Sequence, residues 1–468
     1  MAWPGPGLTR GGTRRSLTGS VAKEALTMPA GPSAPLRNSD LPALLTEARD
    51  AYAQARPASA ALHETARQSL AGGNTRSVLF YTPFPTAMAR GAGCRLWDVD
   101  GHEYIDFCGE YSAGLFGHSE PRIQAALRAA MERGMNLAAV GADEGRLAAL
   151  IQARFPSIER VRFTNSGTEA NIMALTAARN FTGRPGILAF RGGYHGGVLL
   201  FTPGAEAVTL PLPFTLADYN DGPGAAALIR RHADSIGAVI VEPMMGAGGC
   251  IPASAEFLQA LREAASETGA VLILDEVMCS RHSEGGLQAR LGITPDMTTL
   301  GKYMAGGMSF GGFGGRADIM AQFDGHRPGS LPHAGTFNNN VFSMAAGVVA
   351  LGEVFGASEA AALYDRGEAL RAALNEAAEG SGLHFTGAGS MMAPHFRPGP
   401  LLRPYASTAE EEQLRELLFL DLMAEGLYLA RRGMIALSLP IGEAECDWLA
   451  AAVRRFCTER AAVLPGLR

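Results

Sequence analysis

Two short apolar runs in this chain end in carboxylates. Ala238-Val239-Ile240-Val241-Glu242-Pro243 and Val271-Leu272-Ile273-Leu274-Asp275-Glu276-Val277 read as buried strands that deliver Glu242 and Asp275 at their ends. In open parallel sheets, ligands bind beyond the carboxyl ends of the strands, so acids there face ligand more often than acids elsewhere. Either one alone fits a helix cap or an ion-pair partner equally well. Two in one sheet favour a site. Lys302 brings a different chemistry, as the only charge between Met297 and Gly315 in a stretch otherwise apolar, small or hydroxylic. Most lysines are solvated surface groups. An amine kept from water loses its preference for the ammonium form and becomes a nucleophile able to form a Schiff base. Gly301, Gly306 and Gly307 would let backbone come close to a bound group.

Two more segments extend this inventory. Asn165-Ser166-Gly167-Thr168-Glu169-Ala170 lies between a strand-like run and a strongly helical one. Ser-Gly-Thr at a helix start offers free N–H groups, two hydroxyls and the positive end of the dipole, which is a phosphate cradle. An ordinary cap is the commoner use of such residues. Gly193-Tyr194-His195-Gly196-Gly197 follows the run Ile187–Phe190 and places an aromatic where it could stack on a flat heterocycle, or simply pack in a turn. A phosphate site, a stacking ring, a carboxylate for a pyridinium and a nucleophilic lysine are together the requirements of pyridoxal 5′-phosphate (PLP).

The elements that must position these groups alternate. Strands are predicted at Val161–Thr164, Ile187–Phe190, Ala238–Val241 and Val271–Leu274, separated by helices such as Thr168–Asn180 and Ala255–Thr268. That rhythm implies an α/β layer with a mostly parallel sheet. Ahead of it, Leu41–Ala71 reads as helix stopped by Gly72-Gly73, and Val78–Tyr81 and Arg95–Trp97 read as short strands. After about Asn340 the chain turns mainly helical, with one β-like run at Met434–Leu439. The expected division is an extension over residues 1–40, a first part of a small domain over 41–115, a large domain over 116–340, and the rest of the small domain over 341–468. The extension is rich in Gly, Pro, Ser and Thr, carries Arg10, Arg14, Arg15 and Lys23 before its first acid, and reads as a disordered tail or as residues ahead of a true start at Met28.

Composition narrows the function classes. A formal charge of −6 and a pI near 6.0 argue against nucleic-acid or anionic-membrane partners. No apolar stretch approaches the roughly 20 residues of a membrane span. Cys94, Cys108, Cys250, Cys279, Cys446 and Cys457 are scattered with no Cys-x-x-Cys pair, which suits free thiols in a reducing cytoplasm and gives no metal site. Cys279, near the proposed site, reads as a small buried apolar residue. No Gly-x-Gly-x-x-Gly opens a helix after a first strand, which sets a dehydrogenase aside.

From about Leu70 to its end the chain resembles the class III (ω-type) aminotransferases of PLP fold type I, and among them the aromatic β-amino acid aminotransferases, with glutamate-1-semialdehyde aminomutases as relatives. The resemblance is carried by Asn165–Ala170, Tyr194-His195-Gly196, Glu242-Pro243, Asp275-Glu276-Val277-Met278, Leu300-Gly301-Lys302 and Gly335-Thr336-Phe337-Asn338-Asn339-Asn340. It implies a large mostly parallel-sheet domain with a smaller α+β domain built from both chain ends. It implies that Lys302 is the Schiff-base and proton-transfer lysine, that Asp275 pairs with the pyridine nitrogen, and that Val277 packs on the ring face opposite Tyr194. Glu242 joins the cofactor-binding set, and Ser166, Gly167 and Thr168 bind the phosphate. Thr336 is implied to reach the phosphate of a neighbouring subunit, making the site a property of a homodimer. The segment Asn74–Tyr81 resembles the one that supplies an arginine for the substrate carboxylate, here Arg76, and Arg432 matches a second arginine that receives a keto acid acceptor such as 2-oxoglutarate or pyruvate. Aminomutases carry Asn where this chain has Ala247, and Ser-Gly-Asn-Pro where it has Phe337-Asn338-Asn339-Asn340, so amino-group transfer is favoured over isomerisation. A non-catalytic protein that kept the fold is disfavoured by the intact Lys302 and Asp275.

Overall fold

The computed structural model describes residues 40–467. The expectations for the extension before Asp40 lie outside them. At the centre is a seven-stranded sheet. In spatial order its strands are Arg160–Thr164, Gly311–Gly315, Met297–Gly301, Val271–Asp275, Ile236–Val241, Gly186–Phe190 and Phe214–Ala217. All are mutually parallel except Gly311–Gly315, which runs antiparallel to both neighbours. The four predicted strands are all present, and every residue of Ile236–Val241 and Val271–Asp275 is buried, as continuous apolar runs in a doubly covered sheet require.

The helices between strands begin and end where local chemistry dictates. Gly167–Thr182 is capped by the Ser166 hydroxyl, which accepts the Glu169 N–H at 3.2 Å, and stops at Gly183 with φ 68°. Ala255–Thr268 is capped by Ser254 and stops at Gly269 with φ 70°. These two helices line opposite sides of the sheet, packing into separate apolar clusters around Ala174 and Phe257. A second, four-stranded sheet joins distant parts of the chain. Leu427–Tyr428 pairs in parallel with Glu103–Asp106, which continues into Arg95–Asp98 and Met88–Ala92.

Three local expectations change. Leu41–Ala71 is two helices, Leu41–Ala55 and Pro57–Arg67, because Pro57 cannot donate to the preceding turn and starts a new helix instead. Val78–Tyr81 is no strand: Ser77–Leu79 forms a 3-10 turn with Val78 and Phe80 exposed, since its apolar residues find no sheet to pair with. Met434–Leu439 contributes only the two-residue strand Ile435–Ala436. Conversely, Gly311–Gly315 is a strand that a glycine run does not advertise. Its glycines are needed for close approach, since a Cβ on Gly311 would lie 2.1 Å from the Ser166 carbonyl oxygen.

Candidate active site

Asp275 closes its strand at the carboxyl edge of the sheet, and three donors converge on it. Asn171 Nδ2 and His195 Nδ1 reach Oδ2 at 2.7 and 2.8 Å, and the Val277 N–H reaches Oδ1 at 3.0 Å. Asn171 is itself held by Thr299, whose hydroxyl donates to Asn171 Oδ1 at 2.7 Å, while Asn171 Nδ2 also donates to the His195 carbonyl at 2.9 Å. All four side chains are buried. A buried carboxylate with this many fixed donors is held in one orientation. The adjacent Glu276 points elsewhere: it accepts the Leu287 and Gln288 N–H groups and holds the short helix Gly286–Leu291 behind the sheet.

Glu242 ends the neighbouring strand. Its carboxylate accepts the Tyr194 N–H at 2.9 Å and the Gly246 N–H at 3.0 Å, tying the Tyr194-His195 turn to the loop after Pro243. Burial, joined by repulsion from Asp275, pushes Glu242 up to about 7 against the pull of His195. Tyr194 is 40% exposed, so its ring is open on one side.

Lys302 follows the strand Met297–Gly301 in a left-handed backbone conformation, φ 57°, at the start of a 3-10 turn. Non-glycine residues adopt this conformation in only a few per cent of cases, and a lysine does so where the surrounding fold enforces it. Desolvation, and then the field of Arg432, lower its pKa to about 8 against the pull of Asp275. A sizeable fraction of the amine is therefore neutral near pH 7.5.

Glycines shape the space between these groups. A Cβ on Gly167 would lie 2.8 Å from Val277 Cγ1, and one on Gly301 3.1 Å from the same atom. Val277 is thus held by two bare backbones, one at the start of the helix Gly167–Thr182 and one beside Lys302. Thr168 Oγ1 accepts the Gly197 N–H at 3.1 Å, which locks the turn after Tyr194 against that helix start. Ser166, Gly167, Thr168, Tyr194, Glu242, Asp275, Val277 and Lys302 therefore gather at one edge of one sheet.

Arg76 and Arg432 come from opposite ends of the chain and meet at one ring. Their guanidinium carbons lie 5.7 and 5.8 Å from the centre of Tyr111. Arg76 Nη1 also donates to Glu110 at 2.6 Å. Arg432 has no carboxylate partner among the described residues; its Nη2 contacts Met434 Sδ at 3.8 Å and its buried Nε has no hydrogen-bond partner. It lines a 410 Å³ cavity with Gly246, Ala247, Tyr405 and Met434. Thr336 stands apart, exposed on the loop after Gly335, although the same loop is anchored beside Ser166 by the Asn165 Nδ2 donation to Asn338 at 3.1 Å.

The residues that sequence reasoning did not select are Asn171, Thr299, Glu110 and Tyr111. Asn171 had a signal, a polar side chain four residues into a helix whose neighbours Ala170 and Ala174 are apolar. Nothing in the types of Glu110 or Tyr111 marks them, because their placement depends on φ values of 45° and 55°. Cys279 is buried as expected, its thiol donating to the Met244 carbonyl.

Residues 80–412 match the model of the aminotransferase class-III family. The chain belongs to the class III aminotransferases. The β-phenylalanine transaminase of Variovorax paradoxus is 52% identical to this aminotransferase over 423 residues, 90% of this chain and 97% of the relative. The crystal structure of a β-phenylalanine aminotransferase from that organism superposes with a TM-score of 0.89 at 51% identity, covering 91% of this chain and 99% of the other. A glutamate-1-semialdehyde 2,1-aminomutase from Nitratidesulfovibrio vulgaris is 37% identical over 393 residues, 80% of this chain and 92% of the relative. Class III aminotransferases use PLP, and the site of this aminotransferase fits it. The buried, donor-fixed Asp275, the desolvated Lys302 and the glycine-walled gap at Val277 meet the needs of its ring nitrogen, aldehyde and flat ring. The aminotransferase has the fold type I architecture expected of such enzymes, and among its described residues no single helix is long and apolar enough to cross a membrane.

Proposed function

We propose that this aminotransferase moves the amino group of a β-amino acid resembling β-phenylalanine to 2-oxoglutarate or pyruvate. The observation that carries the reading is the pair of guanidiniums on Tyr111, Arg76 and Arg432, both of whose fields reach the Lys302 amine. Two carboxylate receptors around one amine suit two substrates that bind in turn, and the relatives named for β-phenylalanine support the donor class. Planar guanidiniums grip carboxylates through paired hydrogen bonds. Arg76 receives the donor's carboxylate and Arg432 that of the keto acid.

When bound, PLP supplies an aldehyde for the amino group and a ring that takes up an electron pair. Lys302 would hold the cofactor through its Nζ, and that amine, when free, would take the proton from the donor's amine-bearing carbon and give it back in the course of transfer. Its lowered pKa lets the neutral amine accept that proton near pH 7–8. Asp275 would hold the ring nitrogen and its proton, with Asn171 and His195 fixing the carboxylate's aim. Tyr194 and Val277 would hold the faces of the ring, and Glu242 keeps the Tyr194 backbone in place. Ser166, Gly167 and Thr168 bind the phosphate at the helix start. A keto acid received at the same lysine after the donor's product has left would give double-displacement kinetics.

We further propose a homodimer in which Thr336 completes the phosphate site of the neighbouring subunit. Thr336 is exposed and Phe337 beside it is 56% exposed. Asn339 ties this loop to the Ala139 carbonyl, next to the exposed Leu137 and Val140. The small domain is read as residues 41–115 and 341–468 around a large domain of 116–340, a reading supported by the pairing of Leu427–Tyr428 with Glu103–Asp106. The six buried free thiols fit the cytoplasm.

The test is a donor and acceptor screen on the PLP-loaded enzyme. Turnover of (S)-β-phenylalanine with 2-oxoglutarate or pyruvate, ahead of α-amino acid donors, is expected. Use of α-amino acids with β-amino acids ignored would remove the role given to Arg76. Turnover of glutamate-1-semialdehyde with no acceptor would replace transfer by isomerisation.

A further inference from the structure

Four consecutive residues, Gly109 to Ser112, have positive φ values of 51°, 45°, 55° and 78°. Three of them are not glycine, so the backbone pays in strain for where their side chains go. The loop is pinned at both ends. Asp106 Oδ1 accepts the Cys108 and Gly109 N–H groups at 2.9 and 3.0 Å, and the fully buried Arg281 donates to the Ser112 carbonyl at 3.3 Å. It is also braced to the segment carrying Arg76, through the Tyr111 hydroxyl on the Val78 carbonyl at 3.0 Å. What this enforced geometry achieves is the contact of Glu110 with Arg76 at 2.6 Å. Arg432, on the same ring, has no such acid.

We propose that Glu110 is a built-in occupant of the Arg76 guanidinium, which the carboxylate of the donor must displace in order to bind. The inference rests on Arg76 being the donor's receptor. It makes Glu110 a positioning and selectivity residue: between turnovers it keeps Arg76 extended beside Tyr111, and it holds stray anions off that guanidinium. Both side chains are about half exposed, so the pair is weak enough for a substrate carboxylate to replace. Arg432, left without an acid, accepts its carboxylate with no competitor.

The experiment measures the inhibition constant of 3-phenylpropanoate, a carboxylate with no amine to transfer, against the β-amino acid donor on the PLP-loaded enzyme. Glu110→Gln keeps an oxygen for Arg76 and removes the charge. The inhibition constant is expected to fall about two- to fivefold, the scale of an exposed ion pair, and the donor KM to fall with it. The KM for 2-oxoglutarate, received by Arg432, should stay within about twofold. Glu110→Asp, which withdraws the charge by one methylene, should fall between Gln and the parent and serves if the Gln variant folds poorly. An unchanged or raised inhibition constant in both variants, with Arg76→Gln still weakening the inhibitor tenfold or more, overturns the proposal and leaves Arg76 as receptor. If Arg76→Gln has no effect either, the receptor assignment itself falls.

Discussion

His195 Nδ1 lies 2.8 Å from Asp275 Oδ2, with both side chains sealed from solvent. The contact joins the turn that carries Tyr194 to the strand that carries Asp275, so the proposed stacking ring and the proposed pyridine anchor move as one unit. Replacing Asp275 by Asn keeps the shape but leaves a second amide facing Asn171. Loss of about 10²–10³ in kcat is expected, the scale of removing one preorganised charged partner. Steady-state kinetics and the visible spectrum of the loaded enzyme check it; near-parental kcat would exclude Asp275 from the ring nitrogen.

Thr299→Val removes the hydroxyl that orients Asn171 and strands its carbonyl oxygen in the core. We expect a stability loss of about 1–3 kcal/mol by urea unfolding, the cost of a buried unpaired polar atom. PLP affinity should weaken as well. An unchanged cofactor affinity would show that Asn171 does not steer Asp275.

Lys302→Ala should abolish the visible band of the loaded resting enzyme and lower kcat by at least about 10²–10⁴-fold, the contribution of a positioned proton-transfer group. Added small amines should restore part of the rate. A spectrum identical to the parent would refute the covalent role.

Lys302 also sets a pH dependence. Its folded pKa of about 8 lies below the ordinary 10.5, so between these values the unfolded chain binds more protons than the folded one. In the PLP-free protein, its contribution to stability is least favourable below pH 8 and improves as pH rises towards 10.5. Capture of PLP needs the neutral amine, so its rate should climb through about pH 8 and level off above. Stopped-flow absorbance measures this; a rate flat from pH 6 to 9 would contradict the assigned desolvation.

Arg76→Ala and Arg432→Ala should split the two half-reactions. The first is expected to raise the donor KM by roughly 10- to 100-fold with the acceptor spared, and the second to do the reverse, as loss of a charge-assisted pair of about 1.5–3 kcal/mol would give. Equal effects on both substrates would mean that the two arginines serve one site.

How much of this was legible in the amino-acid sequence varied with the range of the interaction. Strand ends at Glu242 and Asp275, the cap at Ser166 and the lone charge of Lys302 were readable, because burial pattern, capping and desolvation are written in near neighbours. Gly311–Gly315 was not, since glycine carries no strand preference and its place is decided by a gap too narrow for a Cβ. The Val78–Tyr81 run misled for the opposite reason, having strand-forming types but no edge to pair with. The meeting of Arg76, Glu110, Tyr111 and Arg432 belongs to tertiary structure alone. It spans more than three hundred residues of chain and depends on left-handed backbone at Glu110 and Tyr111, and only packing between distant segments, through Arg281 on Ser112 and the Tyr111 hydroxyl on Val78, can hold a strained loop in such a conformation.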